Sequence, residues 1–351
     1  MADSPPSSAL SPERYLAWLY SPPEQQPVLA ALCQIEAEIA GSLKAGIDHH
    51  VAHARLQWWR EECERTAEGR PVHPLTRELV RAFGGVAASE DSAGAGMPSA
   101  IAGITGFVDT AVWDLAGATF ETRKELNAYC ERWATAMFEM AAASPVATSS
   151  PASASNAPYA ARVASVAHQM GISSTGGEPS LEDEPANARD SLAARVAAAP
   201  EAVPTTSTTA RSAKSLRALG AAVREIELLA GLAREAHAGR LRLPLDELER
   251  AGVEVGSLAK APWPAALATL LRERHEALRA TIANDVSQFG RDEQPPIRGL
   301  LVWAALAWRL SWRAQRALPN VILPRRYHAV SGGWHAWRAA HRATAGKLRL
   351  N

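Results

Sequence analysis

Hydrophobic residues recur at intervals of three and four along most of the chain, a spacing that places them on one face of an α-helix. Alternating apolar and polar residues, which would indicate strands, are almost absent. Val and Ile are scattered among the good helix formers Ala, Leu, Arg and Glu. The pattern therefore predicts an all-α protein. The predicted helices cover residues 11–20, 27–45, 49–68, 74–83, 98–116, 122–142, 211–237, 263–288, 297–317 and 332–344.

Residues 143–210 break this pattern. They are rich in Ala, Ser, Thr, Pro and Gly and carry no aromatic stripe. Such a composition cannot bury enough apolar surface to offset the entropy lost when the chain is ordered. We therefore predict a low-complexity, mostly disordered insertion, in which residues 159–170 have a helical pattern. Residues 1–10 are also predicted to be disordered.

Composition excludes some classes of function. Hydrophobic residues make up 47% of the chain and charged residues 21%, which permits a sizeable core. Lys and Arg equal Asp and Glu at 37 each, so global charge gives no reason to propose nucleic acid as a partner. The three cysteines have no close spacing, which argues against a disulfide framework or a zinc site. With no signal peptide or long apolar segment visible, the sequence indicates a cytoplasmic protein.

The most informative segment is RLQWWREECERTAEGRPVHPLTREL, residues 55–79. Leu56, Trp59 and Cys63 lie at spacings of three and four, so they form one apolar stripe of a helix. A Gly-Arg-Pro sequence ends that helix, and Pro74 is suited to the first turn of the next one. The segment therefore predicts two helices joined by a short connection.

This segment resembles the squalene/phytoene synthase family, whose L-x-x-W-R-x-x-L helix is followed by a G-x-P-x-H-P connection. Two later segments continue the resemblance in the same order. ETRKELNAYC at 121–130 resembles the family's Y-x-[ST]-x-x-E-L-x-x-Y-C, and GRLRLPLDEL at 239–248 resembles its G-R-x-Y-L-P-x-D-E-L. The resemblance implies an isoprenoid-synthase-type helical bundle, in which the insertion at 143–210 interrupts a single domain formed by 11–142 and 211–318.

The resemblance also implies a chemistry, ionisation of an allylic diphosphate by Mg²⁺ held between two facing D-x-x-x-D motifs. The first motif falls on Ala30–Gly41, where the paired acids correspond to Ala37 and Glu38 and the last acid to Gly41. Glu38 alone keeps a carboxylate. Glu36 points roughly 200° away from it on a helix, so the two cannot chelate one ion. We interpret both as solvated acids.

The second motif should precede the G-R-x-Y-L-P segment. Counted back from Gly239, its first aspartate falls on Gly231 and its last on Glu235. If Arg234 and Glu235 instead stand for the family's R-D pair, the last aspartate falls on Gly239. The first register keeps the family's spacing and is preferred. In both registers a pair of acids one turn apart is missing, so no metal site is predicted.

The helix that lines the family's prenyl channel is altered as well. At residues 129–138, YCERWATAMF replaces the family's Y-C-x-x-V-A-G-x-V-G, so that Trp133 and Phe138 stand at smaller family positions. Such bulk is expected to narrow or fill the channel. On an α-helix these two side chains diverge by roughly 140°, so at most one blocks the channel, and Phe138 is the better candidate. The predicted substrate-pocket residues are Glu38, Tyr129, Trp133, Phe138, Arg234, Glu235 and Arg240, and no catalytic residue is predicted.

Two functions remain open from the sequence. The first is a non-catalytic lipid- or protein-binding module without a cofactor, similar to the branch of the family that acts in respiratory complex I assembly. The second is an active head-to-head prenyl transferase of squalene or phytoene type, with Mg²⁺ on non-standard ligands such as Glu38, Glu227 and Glu235. The departure of both metal motifs favours the first. The expected partners are an isoprenoid or other lipid and a protein.

The segment 319–351 is a basic C-terminal tail with no acidic residue. Trp334, Trp337 and His341 share one face of its predicted helix. Two interpretations stay open. The tail could contact an anionic membrane surface or a partner, which would make the protein peripheral to a membrane. It could equally be solvated and pack its two tryptophans onto the domain.

Overall fold

The computed structural model describes residues 10–44, 46–84, 102–143, 206–321 and 329–350. Every regular element in these ranges is a helix, so the all-α prediction is confirmed. The described residues up to 143 and from 212 onward belong to one compact unit. Residues 1–9 and most of the predicted insertion at 143–210, including its helical pattern at 159–170, lie outside the described residues.

The helices follow the predicted order. The first half contains α1 (Pro12–Tyr20), α2 (Gln26–Gly41), α3 (His49–Ala67), α4 (Pro74–Gly84), a 3₁₀ turn (Ala102–Ile104), α5 (Thr105–Leu115), α6 (Arg123–Ala134), a π-helical turn (Thr135–Glu139) and α7 (Met140–Ala143). The second half contains α8 (Thr206–Ala230), α9 (Leu232–His237), α10 (Leu245–Arg250), a 3₁₀ turn (Val255–Ala259), α11 (Ala265–Gln288), α12 (Arg298–Ala317) and α13 (Ala329–Thr344). The predicted helix 211–237 is two helices, because the α-helical ladder is interrupted at Gly231.

Local chemistry explains the helix ends. Ser11 precedes α1 and its side-chain oxygen accepts a hydrogen bond from the amide of Arg14 at 3.4 Å. Asp48 caps α3 in the same way, accepting from the amide of His50 at 2.8 Å. A side-chain oxygen at this position satisfies amides that have no partner inside the helix. Gly69, with a φ of +76°, follows the end of α3, where the left-handed backbone favours glycine.

The connection between α3 and α4 is held by one buried carboxylate. Glu62 is fully buried and accepts hydrogen bonds from the amides of Val72 and His73, each at 2.8 Å, and from the hydroxyl of Thr76. Burial alone would raise the pKa of Glu62, but these donors and Arg65 together lower it. The segment that carries the family-like pattern is therefore a structural junction.

The core is built around α2 and α12. Helix α2 buries Val28, Leu29, Leu32 and Ile35, each at most 1% exposed. Helix α12 packs against α1, α11 and α13, and α2 packs against α4. Burial of apolar side chains on this scale is the main stabilising contribution to such a bundle. The large side chains Tyr129, Trp133, Phe138 and Trp303 lie inside it, each at most 1% exposed.

The C-terminal helix packs onto the domain through its small residues. Ala336, Ala340 and Ala343 of α13 are buried, whereas Trp334 is 56% exposed and Trp337 is 38% exposed. The interpretation in which the two tryptophans pack onto the domain is therefore wrong. The alanine stripe lies on the opposite side of α13 and allows that helix to approach α1 and α12 closely.

In the described part of the chain, no helix is both long and apolar enough to cross a membrane. Cys33, Cys63 and Cys130 are free and buried.

Candidate functional site

Two glutamates from different helices are neutralised by two arginines in the interior. Glu36 lies on α2, which carries the first expected motif, and Glu227 lies on α8, one turn before the second expected motif begins at Gly231. The guanidinium of Arg14, on α1, donates to both oxygens of Glu36 and lies 3.5 Å from Glu227. Arg224 of α8 lies 3.6 Å from Glu36 and 3.4 Å from Glu227. Both acids therefore face cations that belong to the protein.

Two tryptophans complete this arrangement. The indole N–H of Trp133 donates to Glu36 at 2.7 Å, and that of Trp303 donates to Glu227 at 3.1 Å. Their rings meet edge to face, 5.7 Å apart and at 89°. The guanidinium of Arg14 lies over both rings, 5.8 Å from Trp133 and 5.2 Å from Trp303, in cation–π geometry. We call these six residues the Glu36–Glu227 cluster: Arg14, Glu36, Trp133, Arg224, Glu227 and Trp303.

The electrostatics of the cluster favour its charged state. Burial alone would raise the pKa of Glu36, but the charges of Arg14 and Arg224 and the hydrogen bonds from Arg14 and Trp133 hold it below its usual range. Burial likewise opposes the charge of Arg14. The negative charges of Glu36 and Glu227 outweigh this effect and raise the pKa of Arg14. Within the cluster, each acid therefore accepts hydrogen bonds from an arginine and from an indole.

The interpretation of Glu36 as a solvated acid is wrong. Its side chain is 13% exposed, because the face of α2 that carries it turns toward Arg14. Glu38 does point elsewhere, as the helical angle predicted. It is exposed and lines a separate cavity of about 470 Å³ together with Arg55, Trp58 and His73. Glu38 and the Glu36–Glu227 cluster therefore do not share a site.

Trp133 and Phe138 are both fully buried, although an α-helical spacing of five predicted that at most one faces inward. Their ring centroids are 6.1 Å apart. The reason is the π-helical turn Thr135–Glu139, because such a turn holds more residues than an α-helical one and returns residues five apart to one face. Gly220 of α8 completes the packing, since a Cβ there would lie 2.8 Å from the Cγ of Phe138.

A second network lies beside the first. Tyr129 donates to Asp114 at 3.2 Å, and Arg242, which is 4% exposed, bridges Asp114 at 2.6 Å to Glu235 at 3.1 Å. Arg240 also donates to Glu235 at 2.8 Å. Burial alone would raise the pKa of Glu235, but Arg240 and Arg242 lower it to about 2. Two of the predicted pocket residues, Glu235 and Arg240, are therefore an ion pair.

This network borders a cavity of about 540 Å³ in which cations outnumber acids. Its lining includes the acids Asp114, Glu227 and Glu235 and the cations Lys44, Arg224, Arg234, Arg240 and Arg242. Each acid is within 4 Å of an arginine that also lines the cavity. Within the described residues, the buried Nε of Arg224 has no hydrogen-bond partner. Ala40, Leu43 and Leu228 supply an apolar wall. We call this the arginine cavity.

The predicted pocket residues thus divide among three places. Arg234, Glu235 and Arg240 line the arginine cavity, and Glu38 lines the cavity of about 470 Å³. Tyr129, Trp133 and Phe138 lie in the core, and they line neither of these two cavities. Sequence reasoning missed Arg14, Arg224 and Arg242. A signal was available for Arg224, because its spacing of three from Glu227 on α8 places a cation and an acid on one helix face.

The acids present do not fit a Mg²⁺ cluster. Magnesium requires several carboxylate oxygens directed at one point. Within the described ranges, no group of three or more His, Cys, Asp or Glu residues is arranged to hold a metal ion. The oxygens of Glu36, Glu227 and Glu235 already accept from arginine or indole donors. A divalent cation would have to displace those donors.

Comparison with known proteins identifies the fold and its relatives. A family model described as squalene/phytoene synthase matches residues 8–334. Among solved structures, the chain is similar to a dehydrosqualene synthase in complex with ligand, with a TM-score of 0.60 and 14% identity, over 93% of this chain and 91% of that chain. At this identity the likeness shows the fold. A search of curated proteins found no match.

Proposed function

The chain belongs to the squalene/phytoene synthase family, and we propose that it is a non-catalytic member that binds a phosphate-bearing isoprenoid or similar lipid. One observation supports the proposed absence of catalysis. Glu36 on α2 and Glu227 on α8 contact the same two arginines and are neutralised by Arg14 and Arg224. In the family chemistry, ionising a diphosphate requires Mg²⁺ ions that are held by unpaired carboxylates. Here the carboxylates of Glu36 and Glu227 hold arginines instead.

The arginine cavity supports the proposed binding of a phosphate-bearing lipid. Its volume of about 540 Å³ is in the range of small-molecule sites. The five cations Lys44, Arg224, Arg234, Arg240 and Arg242 exceed the three acids by two, which suits a phosphate group without a metal ion. The apolar wall suits the beginning of a lipid chain. The packed rings of Trp133, Phe138 and Trp303 leave the deeper core to protein side chains.

The test is a titration with farnesyl diphosphate, with farnesol and inorganic diphosphate as separate probes, in Mg²⁺ and again in a chelator. We expect farnesyl diphosphate to bind with equal affinity in both conditions, and farnesol to bind more weakly. Pyrophosphate release is expected to stay at the level of the buffer. Release in Mg²⁺ at rates typical of an enzyme would overturn the proposal and favour the active prenyl transferase.

Two variants at the rim of the arginine cavity locate the binding. Lys44→Gln and Arg234→Gln each remove one cation, and each is expected to weaken farnesyl diphosphate binding by about tenfold, the worth of a charge-assisted hydrogen bond. Lys260→Gln and Arg250→Gln are matched controls, since both replace exposed cations that do not line the cavity. Equal effects of the rim and control variants would show that the ligand binds elsewhere.

A further inference from the structure

Helix α13 has two faces of opposite character. Its inner face consists of alanines, and its outer face carries large aromatic side chains, the reverse of the arrangement in an ordinary surface helix. Trp334 is 56% exposed and Trp337 is 38% exposed, although burying such side chains is favourable. The described part of the chain therefore holds an apolar ridge directed away from its own core.

The aromatic side chains on this outer face form an ordered stack. The rings of Trp334 and Trp337 are 4.9 Å apart and 25° from parallel. The ring of His341 continues the stack, 5.6 Å from Trp337 at 12°. The spacings of three and four along α13 align the three rings, and mutual stacking restricts their rotamers. A ridge ordered in advance loses little conformational entropy when it contacts another surface.

Positive charge surrounds the stack. Arg338 and Arg342 are exposed, and their spacing places them on the same side of α13 as the rings. Partial burial and the charges of Arg309 on α12 and of Arg338 together lower the pKa of His335. We call Trp334, Trp337, Arg338, His341 and Arg342 the aromatic–basic face.

No acid offsets this charge in the surrounding sequence. Residues 294–351 contain no Asp or Glu, although acids equal cations over the whole chain. The cations in this segment are Arg298, Arg309, Arg313, Arg316, Arg325, Arg326, Arg338, Arg342, Lys347 and Arg349. Residues 294–351 are thus strongly basic, although the whole chain is neutral. A surface complementary to this segment is anionic.

We propose that the aromatic–basic face of α13 docks on the surface of a bilayer that contains anionic lipid. Tryptophan prefers the interface between headgroups and acyl chains, and arginines beside it are attracted to acidic headgroups. An anionic bilayer presents a continuous negative surface, which suits a segment whose charges are all of one sign. Because the alanine face holds α13 on the domain, the helix can lie flat on the bilayer without leaving its neighbours.

The experiment measures co-flotation of the full chain with vesicles of phosphatidylcholine alone and of phosphatidylcholine mixed with phosphatidylserine. We expect binding to the mixed vesicles that weakens as salt is added. The pair Arg338→Gln and Arg342→Gln should lower the partition constant by about fivefold per arginine, about 25-fold in all. Arg70→Gln with Arg250→Gln is the matched control, because these arginines are 75% and 69% exposed elsewhere.

Variants of the two exposed tryptophans distinguish docking of the aromatic side chains from simple charge attraction. Trp334→Ala with Trp337→Ala should lower the partition constant by at least about tenfold, since the exposed ring area leaves water on docking. Trp58→Ala on α3 is the control, as that side chain is 39% exposed. Circular dichroism should show unchanged melting, because every substituted side chain is exposed.

Three results would overturn the proposal. The first is binding to neither vesicle, or equal binding to both. The second is a loss of binding in the control variants as large as in the α13 variants. The third is a dimer in light scattering that becomes a monomer when Trp334 and Trp337 are replaced, because the face would then be an interface between two copies of this chain.

Discussion

The Glu36–Glu227 cluster predicts a strong energetic coupling between Arg14 and Glu36. Replacing Arg14 with Met leaves Glu36 with Arg224 at 3.6 Å and with the indole of Trp133. Breaking a fully buried pair costs about 3–5 kcal/mol, because the remaining charge has lost its partner. Here the side chains of Arg14 and Glu36 are 15% and 13% exposed and second partners remain. We therefore expect about 2–3 kcal/mol for each single substitution, Arg14→Met and Glu36→Leu.

The double variant should be less destabilised than the sum of the two. Removing both charges leaves Arg224 and Glu227 as a balanced pair 3.4 Å apart. The new apolar side chains would pack on the rings of Trp133 and Trp303. We expect the double variant to lose about 2 kcal/mol, so that the coupling energy between the two positions is about 2–4 kcal/mol.

Urea unfolding of the wild type, both single variants and the double variant measures this coupling, provided that the slope m is unchanged. The matched control is the pair Asp246 and Arg250, whose side chains are 39% and 69% exposed, and whose coupling should stay below about 1 kcal/mol. Coupling between Arg14 and Glu36 no larger than in this control would refute the reasoning, because the cluster would then be screened like a surface pair.

Three further predictions concern single residues. The pKa of Glu235 falls from 4.5 to about 2 in the folded chain, so this side chain adds about 2 kcal/mol to the free energy of unfolding above pH 4.5, and that contribution is lost as the pH falls toward 2. In urea unfolding, the free energy of Glu235→Gln should fall less steeply with decreasing pH than that of the wild type, and an equal fall would contradict this. His275 is buried, and its pKa is lowered to about 4 by burial and Arg279. The stability contributed by its neutral form is therefore present above pH 6.5 and lost as the pH falls toward 4. The melting temperature of His275→Gln should fall less over that interval than that of the wild type, and an equal fall would count against the argument. Gly220→Ala should cost about 1–3 kcal/mol, because its Cβ would lie 2.8 Å from Phe138, whereas Gly256→Ala, with open space around it, should not, and equal unfolding midpoints would refute the close packing.

The helices could be predicted from the sequence because their periodicity is local. An apolar residue every three or four positions specifies a helix face without knowledge of any neighbour. The π-helical turn at Thr135–Glu139 could not be predicted in this way. Its effect is to bring Trp133 and Phe138 together, and the residues between them are compatible with an ordinary α-helix.

The ion pairs could not be predicted because their partners are far apart in sequence. Arg14 lies 22 positions from Glu36 and 213 positions from Glu227. A helix pattern indicates that an acid lies near an apolar face, but it does not indicate which cation from another helix meets it there. The helix pattern therefore predicts a solvated acid at Glu36, whereas the packing of α1 buries it against Arg14.

The charges in the cluster connect the fold to the proposed function. A metal site in this position would need an excess of carboxylates, because each Mg²⁺ brings two positive charges. The Glu36–Glu227 cluster contains two acids and two arginines, so its formal charge is zero before any ligand arrives. Under the proposed function, the positive charge that attracts a phosphate comes from the arginine cavity, whose five cations exceed its three acids by two. Catalysis would need further positive charge to neutralise the diphosphate as it leaves, and the family expectation assigns that charge to Mg²⁺. The arginines of the cluster cannot supply it, because they are already paired with Glu36 and Glu227.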